Sequence, residues 1–340
     1  MSEKFCIFCG ETPKDKNLEH VIPQWLIKMT GREKSDIFSL YPDAKRHIPF
    51  LGFKFPACTE CNSKYAKMEA LVKPVLERVL SGQSISGADA SLLMDWFDKI
   101  RVGMWLTEMF FNPELKHDIQ PHFFIDSRVG KTDRMLSVRK IAETDKEKGI
   151  YIGGTQTPLF LYCPSAFIMR INNYYFINAS THNLVSPRVG FPTITNFHLE
   201  DMDNGIYSGN LIKGRDKLVN PIIPCFIPNK DSITFYQPVY KDFIGFPNFP
   251  KDDYLIQHSY DIKTGLGGVF VQKGNSGNTR YLNQSDNVST KMKVGQTPDM
   301  VVDICEIQNS INSMSKMQSP MTVYGAKYNS LILEAQKRQK

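Results

Sequence analysis

The chain has 340 residues, 41% hydrophobic and 22% charged, with a formal net charge of +6. That length allows two domains and a substantial core, while no run of about 18 apolar residues offers a membrane span. The N-terminus, MSEKFCIFCGETPKDK, lacks the apolar stretch of a secretory signal, so a cytoplasmic location is expected. The charge permits contact with a polyanion without requiring one, and roughly half of the excess lies within residues 1–80.

In chain order, residues 1–61 read as short, turn-rich segments. Strand-like runs, IFSLY and IPFLGFKF, fall between Ser35 and Phe55. From Asn62 the pattern turns helical, with Tyr65, Met68, Leu71, Val72, Val75, Leu76 and Val79 at spacings of three and four. Pro74 is expected to bend or split this helix, and Ser81-Gly82 with Ser86-Gly87 to break it. A second helix is expected from Ala88 to Phe111, where Leu92, Leu93, Trp96, Phe97, Ile100, Met104, Trp105 and Met109 form a broad apolar face.

Residues 120–295 read as β-rich. LFLYC (159–163), AFIMRI (166–171), NYYFIN (173–178), PIIPCFI (221–227), ITFYQPVY (233–240), YLIQHSYDIK (254–263) and GVFVQ (268–272) are strand candidates separated by turn residues. The polar stretch from Lys273 to Lys293 reads as a long mobile loop. Helices return over Met300–Ser315 and Thr322–Lys337. The expected fold is therefore α+β, divided into an N-terminal module (1–82), a helical connector (83–118) and a β-rich domain closed by C-terminal helices (119–340).

Four of the seven cysteines form two C-x2-C pairs, Cys6/Cys9 and Cys58/Cys61. Four thiolates are the number that a tetrahedral structural zinc requires, and in a reducing compartment this pattern reads as a metal site rather than as disulfides. The ion would close a loop of about fifty residues and stabilise a segment too small to hold itself together. Cys163, Cys225 and Cys305 stand singly in apolar surroundings and read as packing residues.

Between the pairs, Leu18-Glu19-His20-Val21-Ile22-Pro23 sets an acid beside a histidine in a strand-forming context. The second pair continues as Cys58-Thr59-Glu60-Cys61-Asn62, with Asn62 opening a helix. C-x2-C, then EHVIP, then C-x2-C-N resembles the zinc-bound ββα-metal branch of the HNH endonuclease family, over about residues 5–70. The resemblance implies a general-base role for His20, which would deprotonate the water that attacks phosphorus. It also implies that Glu19 and Asn62 hold one catalytic divalent ion, Mg2+ or Mn2+, distinct from the structural zinc. Lys64 and Lys67, on the helix after Asn62, become candidates for phosphate contacts that add affinity without sequence information.

Three positions depart from the family pattern. Glu19 replaces the commoner Asp, Asn62 replaces the last His, and no Asn lies between Asn17 and Cys58 to serve as the middle residue. His47 is the candidate for that orienting role. The expectation is a metal-dependent endonuclease acting on DNA, double-stranded by preference, in a setting such as defence or restriction. Two other readings stay open: a non-catalytic zinc module that binds nucleic acid or protein, and a nuclease gated by a ligand-sensing β domain. A homo-oligomer or a partner protein could use the β-rich domain, and no membrane contact is expected. His117 and His122 flank a proline at a spacing that matches no standard metal site.

Overall fold

The computed structural model describes residues 5–15, 17–38, 47–111, 133–142, 149–181, 193–201, 206–212, 231–239, 261, 266–274, 279–297, 299–314 and 319–338. Within them the architecture is mixed α+β, with a β-rich second part and two C-terminal helices. No helix of the described residues is long and apolar enough to cross a membrane.

The N-terminal part pairs β1 (Leu18–His20) with β4 (Lys54–Pro56), and β2 (Asp36–Phe38) with β3 (His47–Pro49), both antiparallel. A short helix not foreseen in the sequence, α1 (Gln24–Met29), follows Pro23. Its Trp25 stacks on Trp96 at 5.9 Å between ring centroids. Next comes α2 (Thr59–Leu80), which starts one turn earlier than its apolar spacing suggests and runs unbroken through Pro74. Proline removes the hydrogen bond to the carbonyl four residues back. Both Ala70 and Pro74 are exposed, so water can meet that carbonyl and the helix need not split. Gly82, at φ 72°, ends the segment.

β5 (Ser84–Ser86) leads into α3 (Gly87–Phe111), the central helix of the fold. A Cβ on Gly87 would lie 2.3 Å from the Asn283 carbonyl oxygen, so only glycine permits this approach. β5 pairs with β15 (Asn287–Ser289). The stretch expected to be a mobile loop thus supplies two strands, β14 (Thr279–Leu282) and β15. In this segment Leu282 is buried and Tyr281 half-buried while Arg280 is exposed, so a strand forms despite the polar composition.

The main sheet contains β6 (Asp133–Ile141), β7 (Ile150–Gly153), β8 (Ala166–Ile171), β9 (Tyr174–Thr181), β12 (Ser232–Pro238) and β13 (Val269–Lys273), with β14 at one edge. The order is β14-β13-β12-β6-β9-β8-β7, all antiparallel, and β16 (Val294–Gly295) runs parallel to β6. β10 (Thr193–Asp201) and β11 (Ile206–Ile212) form a separate hairpin. Asn172-Asn173 turns β8 into β9, and Asn172 takes the left-handed conformation that asparagine tolerates. The LFLYC run forms a helix, α4 (Pro158–Tyr162), rather than a strand, because Thr157-Pro158 starts a helical turn with proline at its first position. PIIPCFI (221–227), most of YLIQHSYDIK (254–263), His117, His122 and Cys225 lie outside the described residues.

Both faces of the sheet are covered. Phe176 stacks on Phe97 of α3 at 5.0 Å, while the adjacent Tyr175 donates its hydroxyl to Asp303 of α5 (Met300–Met314) at 3.3 Å. Successive strand residues point to opposite faces, so α3 and α5 lie on opposite sides. The last helix, α6 (Pro320–Arg338), packs on α4 and α5.

α3 carries charge into this core. Arg134 of β6 donates to Asp95 at 2.7 Å, to Asp98 at 2.9 Å and to Gln237 at 3.0 Å. Arg101 donates to Asn178 at 2.7 Å, to Ser180 at 2.5 Å and to the Pro164 carbonyl. Asn178 in turn donates to Asp98 at 3.2 Å. Buried charges persist only when fully paired. Asp98→Ala is therefore expected to cost about 3–5 kcal/mol, read as a lowered midpoint in urea denaturation. Asp98→Asn, which keeps part of the hydrogen bonding, should cost less.

Candidate metal centre and catalytic residues

The β1–β4 pair brings the two cysteine pairs together: β4 runs directly into the second knuckle, and the first, which precedes β1 in the chain, is tied to the end of β4. Leu18 lies opposite Pro56, the Ala57 N–H donates to the Asn17 carbonyl at 3.2 Å, and the Ile7 N–H donates to the Pro56 carbonyl at 3.1 Å. The first knuckle closes through the Gly10 N–H donating to the Cys6 carbonyl at 2.9 Å, with Gly10 at φ 82°. In the second, Cys58 caps α2, its sulfur accepting the Cys61 N–H at 3.5 Å, while the Cys58 N–H donates to the Cys6 sulfur at 3.3 Å. Cys58, and not Asn62, is therefore the helix cap.

All four sulfurs lie within 4.8 Å of one another, and Cys9 Sγ is 4.0 Å from Cys58 Sγ. A tetrahedral zinc with bonds of about 2.3 Å separates its sulfurs by about 3.8 Å, so the donor set and its spacing fit that ion. Burial pushes the Cys9 and Cys61 thiols up. At Cys58 burial acts the same way but is outweighed by hydrogen bonds to its sulfur, led by the Cys61 N–H, and the thiol lies below its ordinary value. The positive end of α2 also favours thiolates there. This is the sole group of three or more His, Cys, Asp or Glu side chains placed to hold a metal ion among the described residues. Of the remaining cysteines, Cys305 is buried and Cys163 half-buried.

Glu19 and His20 are neighbours on β1 and part company. Glu19 is buried, its carboxylate 2.6 Å from Lys99 Nζ. Lys99, on α3 and 1% exposed at its side chain, also pairs with Glu69 of α2. Its ammonium lies 5.6 Å from the centre of the Phe8 ring and 5.8 Å from that of Tyr65, two rings stacked on each other at 4.1 Å. Burial holds the Glu69 carboxyl at about 7, against the opposing pull of Lys99.

His20 is half-buried at the end of β1, directly opposite Lys54 in the strand register. Gln24 Nε2 lies 3.3 Å from each ring nitrogen. Burial, then the positive charge of Lys54, lower the imidazole below its ordinary value, with a hydrogen bond to the Leu51 backbone working the other way. Asn62 is half-buried in the first turn of α2, its N–H donating to the Cys58 carbonyl at 2.9 Å. Glu69 lies seven residues further along that helix, an axial rise of about 10 Å. Lys64 and Lys67 are exposed on α2, with Lys64 Nζ 5.2 Å from the Tyr65 ring centre. His47 stands opposite Phe38 in β3.

Lys99, Glu69, Lys54 and Gln24 escaped the sequence reading. One signal for Lys99 was available: Asp98, Lys99 and Arg101 interrupt an otherwise apolar run, WFDKIRVGMW, and charges buried by such a helix need partners. No protein-family model, curated protein or solved structure matches the chain.

Proposed function

We propose that the chain is a zinc-stapled nuclease of the HNH type that hydrolyses phosphodiester bonds of nucleic acid, with double-stranded DNA as the expected substrate. The observation that supports this reading best is the placement of His20. It ends a strand whose partner leads straight into a four-cysteine knuckle and a helix. There it is half-buried, beside a lysine, with its neutral form favoured.

A neutral imidazole is the form that can accept a proton from water. Gln24 contacts the ring, and Lys54 places a positive charge beside it, where the phosphate of a bound strand would be attracted. Lys64 and Lys67 add candidate phosphate contacts along α2. Asn62 lies at the knuckle end of the same helix, close in sequence to the zinc ligands.

A catalytic Mg2+ or Mn2+ does not fit Glu19 and Asn62 as they stand, because the Glu19 carboxylate is engaged by a buried ammonium and Asn62 supplies no charge. The same ion pair favours a second reading, a zinc module that binds nucleic acid without cutting it.

Plasmid nicking decides between the two readings. The native chain should relax supercoiled DNA and His20→Ala should not, with equal zinc content in both. Binding without nicking by the native chain would overturn the nuclease reading in favour of the second.

A further inference from the structure

We propose that Lys99 is a built-in competitor for the cation at Glu19, so that the position of helix α3 sets how tightly the candidate nuclease site binds a divalent cation. The inference rests on the nuclease reading for its meaning and on the geometry of Lys99 for its support. Two carboxylates, from β1 and α2, converge on one ammonium that is 1% exposed and 2.6 Å from Glu19. The rings of Phe8 and Tyr65 lie beside it, their centres within 6 Å. The surroundings are thus those of a cation site, and the cation belongs to the protein.

Lys99 reaches this place because of where α3 sits. Its neighbours Asp98 and Arg101 are fixed to Arg134, Asn178 and Ser180 of the main sheet. The sheet therefore sets the position of the ammonium, and Glu19 becomes available to another cation only when Lys99 withdraws. This ties the β-rich part of the chain to the N-terminal site through one side chain.

The test is Mn2+ binding to the zinc-loaded full chain, followed by electron paramagnetic resonance of the free ion. Lys99→Met should bind Mn2+ at least about tenfold more tightly than the native chain, since a neutral side chain no longer opposes a second cation. Lys99→Arg, which keeps the charge, should stay near the native affinity. Adding Glu19→Gln to Lys99→Met should abolish the gain. Lys99→Gln, whose amide can still donate to Glu19, serves if the methionine variant does not fold.

Equal Mn2+ affinity in the native chain and both neutral variants overturns the proposal, as does a gain that survives Glu19→Gln. DNA nicking is scored separately on the same proteins. Tighter Mn2+ binding with no nicking by any of them supports the competition at Glu19 and sinks the nuclease reading. Nicking that depends on His20, with Mn2+ affinity unmoved by Lys99→Met, does the reverse.

Discussion

Removing the metal from the four-cysteine centre is expected to unfold the first 60 residues while leaving the main sheet in place. The N-terminal part holds only short strands, two of three residues in the β1–β4 pair and two of three in the β2–β3 pair. A strand pair of that size is not stable in water by itself. Structural zinc sites contribute about 10 kcal/mol or more of apparent binding free energy, and in small modules that energy is folding energy. Strong chelation, or Cys61→Ser, should therefore release Ile7, Phe8, Val21, Ile22 and Phe55, all buried in the native chain. Trp25 reports the change, because it stacks on Trp96 and would be freed while Trp96 stays packed against Phe97. The expected record is a shift of tryptophan emission together with loss of amide protection confined to residues 5–61. Unchanged emission and protection after complete removal of zinc would show that the cysteines do not carry the fold of this segment.

On the nuclease reading, His20→Ala is expected to lower DNA cleavage by about a thousandfold, within the usual range for loss of a general base. The pH dependence adds a signature that simple unfolding would not give. A general base acts when neutral, and burial and Lys54 lower the pKa of His20 below the ordinary 6.5. Activity should thus persist somewhat below pH 6.5 and fall only as the ring takes up its proton. Lys54→Gln removes the second of those causes. The acid limb of kcat/KM should then move to higher pH, while zinc content and thermal stability stay near native. An acid limb that ignores Lys54 would mean that another group governs the profile.

The parts of this molecule legible in its sequence are those with strict local chemistry. Two C-x2-C pairs must converge on something, and the structure brings their sulfurs together. The helices α2, α3, α5 and α6 announce themselves by spacing, as do β8, β9, β12 and β13 by β-branched and aromatic runs. Boundaries depended on contacts that spacing does not encode. α2 starts at Thr59 because a cysteine sulfur, rather than Asn62, caps it. Leu159 to Tyr162 look like a strand by composition, but the preceding Thr157-Pro158 sets them into a helical turn.

The chemistry around Glu19 was illegible for a related reason. Its partner is 80 residues away, on a helix whose packing is settled by the main sheet. A local motif can name an acid and a histidine side by side. It cannot say that strand alternation sends one of them inward to a lysine and leaves the other near solvent.

Lys99 and Arg101 are two residues apart on α3, yet one fastens the cysteine module and the other the sheet. Such a helix works as a key with teeth on two sides. A single residue inserted ahead of Asp95 would turn every later side chain by about 100°, pulling both sets of teeth out of their locks at once. Length variation between Gly87 and Arg101 should therefore be tolerated far less than in the hairpin turns of the sheet. Chains built on the same plan would be expected to keep the spacing of this helix even where its apolar residues exchange.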